Sequence, residues 1–220
     1  MIYQSTKFLA VITDFSINSP HSFIDQITMA IDGGVNMVHL REKNLPTSEL
    51  YDLAMKIREI TKNRALFFIN DRVDLAISCQ ADGVQIGSTG LPINVVRMLV
   101  GSDVWIGKSV HSTEEAVTAE SEGADLILLG TIFPSNSHPD FAGVGVGEIQ
   151  RTCSVIDLPV IAIGGINQYN ISDVVNSGAS GAAVITAIMA SSDPYSESIK
   201  LSGLINNKTL SFEEVIEDDY

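Results

Sequence analysis

Trp105, Ile106, Gly107, Lys108, Ser109, Val110, His111, Ser112, Thr113, Glu114, Glu115 and Ala116 follow one another in a run that reads as a strand, a turn and a helix start. Residues 104–109 have the length and apolar lean of a short buried strand. Ser112 offers a side-chain oxygen for a helix N-cap, and Glu115, three residues on, has capping-box spacing. Ser109, Val110 and His111 therefore fall between a strand end and a helix start. In parallel α/β proteins, ligands bind outside the carboxyl ends of the strands. An imidazole at that place titrates near neutrality and can take up and return a proton. The plainer alternative for His111 is a loop residue bonded to a backbone carbonyl.

The same unit recurs on both sides of this run. Strand-length apolar runs occupy 8–13, 37–41, 66–70, 83–86, 104–109, 126–130, 159–163 and 181–185. Helical spacing or helix-boundary residues mark 21–32, 47–63, 73–78, 92–100, 113–122, 171–177 and 196–205. Residues 131–146 form a long loop rich in Ser, Asn, Pro and Gly. The strands show no strict polar alternation, as expected of strands buried on both faces. Eight such units in 220 residues predict a (β/α)8 TIM barrel in one domain, 1–205, followed by an acidic tail, 206–220. An open doubly wound sheet is the competing fold. It usually carries a glycine-rich first turn, and Thr13, Asp14 and Phe15 supply none.

Composition narrows the partners. A formal charge of −14 leaves no basic surface to replace phosphate counterions, which argues against nucleic acid. No apolar stretch reaches membrane-spanning length, so no membrane partner is expected. The start of the chain has no signal-peptide pattern, and Cys79 and Cys153 are too few for a disulfide framework. A cytoplasmic protein with reduced thiols is expected.

Collecting the residues at the strand ends gives one candidate site. The second strand supplies His39, Arg41 and Lys43, with Arg41 and Lys43 on one side of the chain and Glu42 on the other. The third supplies Asn70 and Asp71, where Asp71 is either a cap for the helix at Val73 or a ligand group. The fifth supplies Ser109 and His111, and the loop after the sixth supplies Ser135, Asn136, Ser137 and His138. Gly164–Gly165 and Ile185–Thr186 follow the seventh and eighth strands, the usual phosphate cradle of such barrels. The glycines also suit a simple tight turn.

Taken together, the runs His39-Leu-Arg-Glu-Lys43, Ile69-Asn-Asp-Arg-Val-Asp-Leu-Ala76, Gly107-Lys-Ser-Val-His-Ser112, Gly130-Thr-Ile-Phe-Pro134 and Ala162-Ile-Gly-Gly-Ile166 resemble the thiamin phosphate synthase/TenI superfamily from about residue 8 to 194. The resemblance implies a TIM barrel, a homodimer and phosphorylated thiamin precursors as substrates. In a synthase of this superfamily, a pyrimidine pyrophosphate is joined to a thiazole phosphate with loss of pyrophosphate, and two carboxylates hold Mg²⁺ on the leaving group. Asp71 matches the first carboxylate, but Gly90 stands at the second. His39 replaces the synthase Gln, and His138, behind Ser135 and Ser137, replaces a Lys. The TenI-type thiazole tautomerases share the histidine before Leu-Arg-Glu and the run at 109–117.

The expectation is therefore a thiazole tautomerase that aromatises a carboxythiazole phosphate by a proton shift through His111. It would need no metal or cofactor. The substrate contacts implied are His39, Arg41, Lys43, Asn70, Ser109, Ser135, Ser137 and His138, with Gly164, Gly165, Ile185 and Thr186 on the phosphate. One alternative is a Mg²⁺-dependent thiamin phosphate synthase using Asp71, and another is a non-catalytic phosphate-ligand binder with a regulatory role.

Overall fold

Strands buried on both faces need a layer of side chains inside and another outside, and closing the sheet on itself supplies both. The computed structural model describes residues 7–17, 21–134 and 142–206. Its strands are β1 Phe8–Ile12, β2 Met37–Leu40, β3 Leu66–Asn70, β4 Gly83–Ile86, β5 Trp105–Val110, β6 Leu126–Gly130, β7 Val160–Ile163 and β8 Gly181–Val184. They form a closed barrel in sequence order, every neighbouring pair parallel, with β1 also paired to β8. The helices are α1 Phe23–Asp32, α2 Thr47–Thr61, α3 Val73–Ser78, α4 Ile93–Val100, α5 Thr113–Ser121, α6 Val146–Cys153, α7 Ile171–Asn176, α8 Thr186–Met189 and α9 Pro194–Ile205. The expected TIM barrel is present. The proposed tail at 206–220 lies, from 207 onward, outside the described residues.

Two cores result. Inside the barrel, Phe8, Ala10, Ile12, Met37, Phe68, Leu126, Leu128, Ile161 and Ala183 pack on one another. The alternate residues of the same strands, such as Leu9, Val11, Val38, Phe67, Val84, Ile106 and Ile127, pack outward against the helices. Both sets are apolar, which is why no alternation shows in the sequence. Space inside is set by ring size: a Cβ on Gly83 would sit 2.3 Å from the Phe68 ring.

Local signals at two helix starts resolve differently from their simplest reading. Ser112 caps α5 by accepting from the Glu115 N–H at 3.2 Å, as expected. The Glu115 carboxylate, however, accepts from the N–H of His111 at 2.7 Å, one residue earlier than in a standard capping box. Asp71 does not cap α3. Arg72 is the N-cap residue, without a side-chain bond, and Asp71 sits at φ 59° with its carboxylate turned elsewhere.

Two helices have no counterpart in the sequence reading. The four-residue α8 is too short to show a period. The start of α6 hides behind a Gly-rich loop, and its inward face carries Glu148 and Thr152 beside Ile149. Glu148 accepts from both the N–H and the hydroxyl of Thr113, each at 2.7 Å, so α6 clamps the first turn of α5 just after His111.

The packing inside the barrel yields a contrast. Gly83→Ala should cost about 1–3 kcal/mol, because the new methyl meets a buried ring. Gly147→Ala, in α6 with nothing within 4 Å of the new Cβ, should be neutral or stabilising by up to about 1 kcal/mol. Urea unfolding of both variants checks the pair, and equal stabilities would contradict the packing described.

Candidate active site

The parallel closed sheet brings every strand's carboxyl end to one rim, where a cavity of about 520 Å³ opens. His39, Arg41, Lys43, Asn70, Asp71, Ser109, His111, Gly164, Gly165, Ile185 and Thr186 all line it. Residues read from separate strands thus meet in one place. Ser135, Ser137 and His138 lie outside the described residues. Ser88, Thr89 and Asn167 also line the cavity and carried no recognisable signal in sequence. A second cavity, about 360 Å³, lies at the opposite end of the barrel among Arg58, Arg64 and Asp82. Its arginines are already paired, Arg58 with Asp82 and Arg64 with Asp32.

Arg41 and Lys43 form no ion pair among the described residues. Glu42 forms no ion pair with either among the described residues, although it lies close enough to Arg41 to feel its charge. Its carboxylate accepts from the N–H of Phe15 at 3.1 Å, and burial raises its pKa. Two cations therefore face the cavity of a chain whose formal charge is −14.

Asp71 opposes them chemically. Its Oδ1 accepts from the N–H of Gly87 at 2.8 Å, and its Oδ2 accepts from Asn70 Nδ2 at 2.7 Å. Lys108 Nζ donates to the Gly87 carbonyl at 2.8 Å, tying the same loop to β5. A Cβ on Gly90 would come within 2.9 Å of Asp71 Oδ1 and 2.7 Å of Ile86 Cγ2, so glycine fits the packing there. Among the described residues no group of three His, Cys, Asp or Glu side chains forms a metal cage. One carboxylate with a free face does fit a magnesium ion completed by substrate phosphate oxygens, the common arrangement for that ion.

His111 is oriented from both ends. Its backbone N–H is held by Glu115, and its ring Nδ1 contacts the Gly130 carbonyl at 2.5 Å. A carbonyl only accepts, so Nδ1 carries a hydrogen, and Nε2 is the ring nitrogen left for a ligand. His39 is different. It is buried, it stacks on Phe68 with centroids 5.0 Å apart, and its Nε2 has no partner among the described residues. Burial pushes its pKa down to about 3, so it is neutral at physiological pH.

Gly164 and Gly165 turn the chain at the end of β7 with φ of 104° and 64°. The space a Cβ would need is filled by the protein itself: Thr131 at 2.5 Å for Gly164 and the Pro134 carbonyl at 2.4 Å for Gly165. The glycines thus serve the turn and the packing of the β6 loop, and their backbone still lines the cavity.

A thiamine monophosphate synthase family profile matches residues 9–188. The thiamine-phosphate synthase of Pyrococcus horikoshii is 38% identical over 88% of this chain and 92% of its own length. That of Methanoculleus marisnigri is 40% identical over 84% of this chain and 89% of its own. Among solved structures, the thiamine phosphate pyrophosphorylase from Pyrococcus furiosus superposes with a TM-score of 0.84 at 35% identity, covering 92% of this chain and 96% of the other. These relatives overturn the tautomerase expectation, because at this identity and coverage the curated names are those of synthases.

The state of His39 sets an acid limit. A histidine whose folded pKa lies below its unfolded value of about 6.5 contributes stability that is whole above that pH and lost as pH falls. Between about pH 6.5 and 5 this residue should remove about 2 kcal/mol. His39→Gln should flatten that part of the curve in urea unfolding at stepped pH. An unchanged slope would contradict the burial of a neutral imidazole.

Proposed function

The chain belongs to the thiamine monophosphate synthase family, and we propose that it joins a pyrimidine pyrophosphate to a thiazole phosphate, releasing pyrophosphate as thiamine phosphate forms. The observation that carries this reading is that Arg41 and Lys43, which form no ion pair among the described residues, share one cavity with a held carboxylate, Asp71, in a chain like the synthases along nearly all its length.

The reaction breaks the bond from the pyrimidine's methylene carbon to a pyrophosphate oxygen and forms one to the thiazole nitrogen. Negative charge collects on the departing pyrophosphate. Arg41 and Lys43 stabilise that charge, and fixed cations in a partly enclosed site do so more strongly than water. Magnesium, when bound, would add charge neutralisation at the same oxygens, with Asp71 as the residue to hold it. Gly87 and Asn70 keep the Asp71 carboxylate in place whether or not the ion is there. On the far side, the backbone of Gly164, Gly165, Ile185 and Thr186 offers a seat for the thiazole's phosphate, which separates the two anionic groups across the cavity. His111 and the Ser109 hydroxyl line the same cavity and offer hydrogen-bonding groups for the rings.

Gly90 in place of a second carboxylate predicts a weak hold on free Mg²⁺ that tightens once pyrophosphate oxygens are present. Incubation with the two substrates and Mg²⁺, followed by mass spectrometry, should show thiamine phosphate and pyrophosphate in equal amounts. Asp71→Asn should lower kcat by roughly 10²-fold or more, and Lys43→Ala should raise KM for the pyrophosphate substrate. Folded protein that yields no thiamine phosphate under these conditions would overturn the reading.

A further inference from the structure

Gln85 is buried at 1% exposure on the inner face of β4, among Phe68, Leu126 and other apolar side chains of the barrel interior. It pairs with Gly107 in the β4–β5 register, and its side chain lies directly over that residue: a Cβ on Gly107 would fall 2.1 Å from Gln85 Oε1. From there its Nε2 reaches Ser109, two residues farther along β5, and donates to the hydroxyl oxygen at 3.0 Å. Gln85 Oε1 has no partner among the described residues.

We propose that Gln85 is a positioning residue that turns the Ser109 hydroxyl into a hydrogen-bond donor aimed at the substrate. The proposal rests on reading the cavity as the substrate site. A serine hydroxyl has one hydrogen to give and lone pairs to receive. Here the receiving side is taken by Gln85, and Ser109 Oγ makes no other hydrogen bond among the described residues. Ser109 lines the cavity, so the free hydrogen points to the ligand.

The arrangement is costly for the fold. A buried carbonyl without a partner destabilises the fold, and an apolar side chain of the same shape would avoid that. The opposite amide orientation would place the carbonyl against Ser109, draw the hydroxyl hydrogen away from the cavity and bury two unpaired N–H hydrogens over Gly107. The observed orientation leaves the carbonyl and one N–H hydrogen without a partner among the described residues and frees one donor in the site.

Two measurements test this. In wild-type protein, nuclear Overhauser spectra should connect the Gln85 side-chain amide protons to the Ser109 β protons. Contacts to the Gly107 α protons without contacts to Ser109 would overturn the proposal, whatever the enzyme's reaction. In turnover with the two substrates, Gln85→Met and Ser109→Ala should each lower kcat/KM about tenfold, and the double variant should fall no further than either. Losses that multiply, or a Gln85→Met variant with full kcat/KM, would also overturn it. Gln85→Glu adds a pH signature. Its carboxyl donates to Ser109 when protonated and takes the serine's hydrogen when ionised, so kcat/KM should fall as pH rises through that group's pKa. A pH profile parallel to wild type would count against the mechanism. If wild-type protein forms no thiamine phosphate, the proposed function fails, and the spectra alone decide the orientation of Gln85.

Discussion

Closure of the sheet between β1 and β8 is the constraint on which the site depends. Phe8, Leu9, Ala10 and Val11 pair with Gly181, Ala182, Ala183 and Val184 in parallel register. The approach is close enough that a Cβ on Gly181 would stand 2.1 Å from the Phe8 carbonyl oxygen. The opposite rim is aligned by side chains that cap strand entries. Asn36 accepts from Leu9 N–H at 3.0 Å, Asp82 from Phe67 N–H at 2.8 Å and Asp125 from Ile106 N–H at 2.7 Å. Each of these side chains precedes one strand and serves the strand before it. Arg58 and Arg97 hold the two aspartates from the helix layer. With one end pinned and the ladder closed, the carboxyl ends must converge.

Convergence brings together groups that repel or attract across the sequence. Arg41 and Lys43 follow β2 and Asp71 follows β3, and none of the three forms an ion pair among the described residues. The chain is acidic as a whole, so the substrates proposed above would be attracted locally, by these two cations and by backbone N–H groups. The loop at Gly87 links the charges mechanically. Its N–H holds Asp71, and its carbonyl is held by Lys108 on the outer side of β5. A carboxylate so fixed pays little reorganisation when a charge arrives beside it.

Much of this was legible in the sequence, and what was not has physical causes. Apolar runs separated by helix periods sufficed for the barrel, because strands buried on both faces leave that pattern. The same burial hides which face looks inward, so nothing in the sequence marks Gln85, between Val84 and Ile86, as facing the barrel interior. A strand-end position was enough to gather His39, Arg41, Asn70, Ser109 and His111. Asp71 stayed ambiguous because a cap and a ligand need the same residue type after a strand, and only its backbone turn and its bond to Gly87 separate them. The relatives carry the synthase name, not the tautomerase one that the departures at a few site positions suggested. Gly90, His39 and the run at 109–117 are few positions against an identity of 38% spread over 194 residues, and local departures were read as a change of chemistry.

The central claim is that Arg41, Lys43 and Asp71 together receive the leaving pyrophosphate. A crystal structure of the protein grown with Mg²⁺ and inorganic pyrophosphate tests it most directly. Pyrophosphate is expected in the cavity at the carboxyl ends of the strands, its oxygens contacted by Arg41 and Lys43, with Asp71 as the residue that holds the metal. Pyrophosphate bound elsewhere, or bound in the cavity with no contact to these side chains, would contradict it.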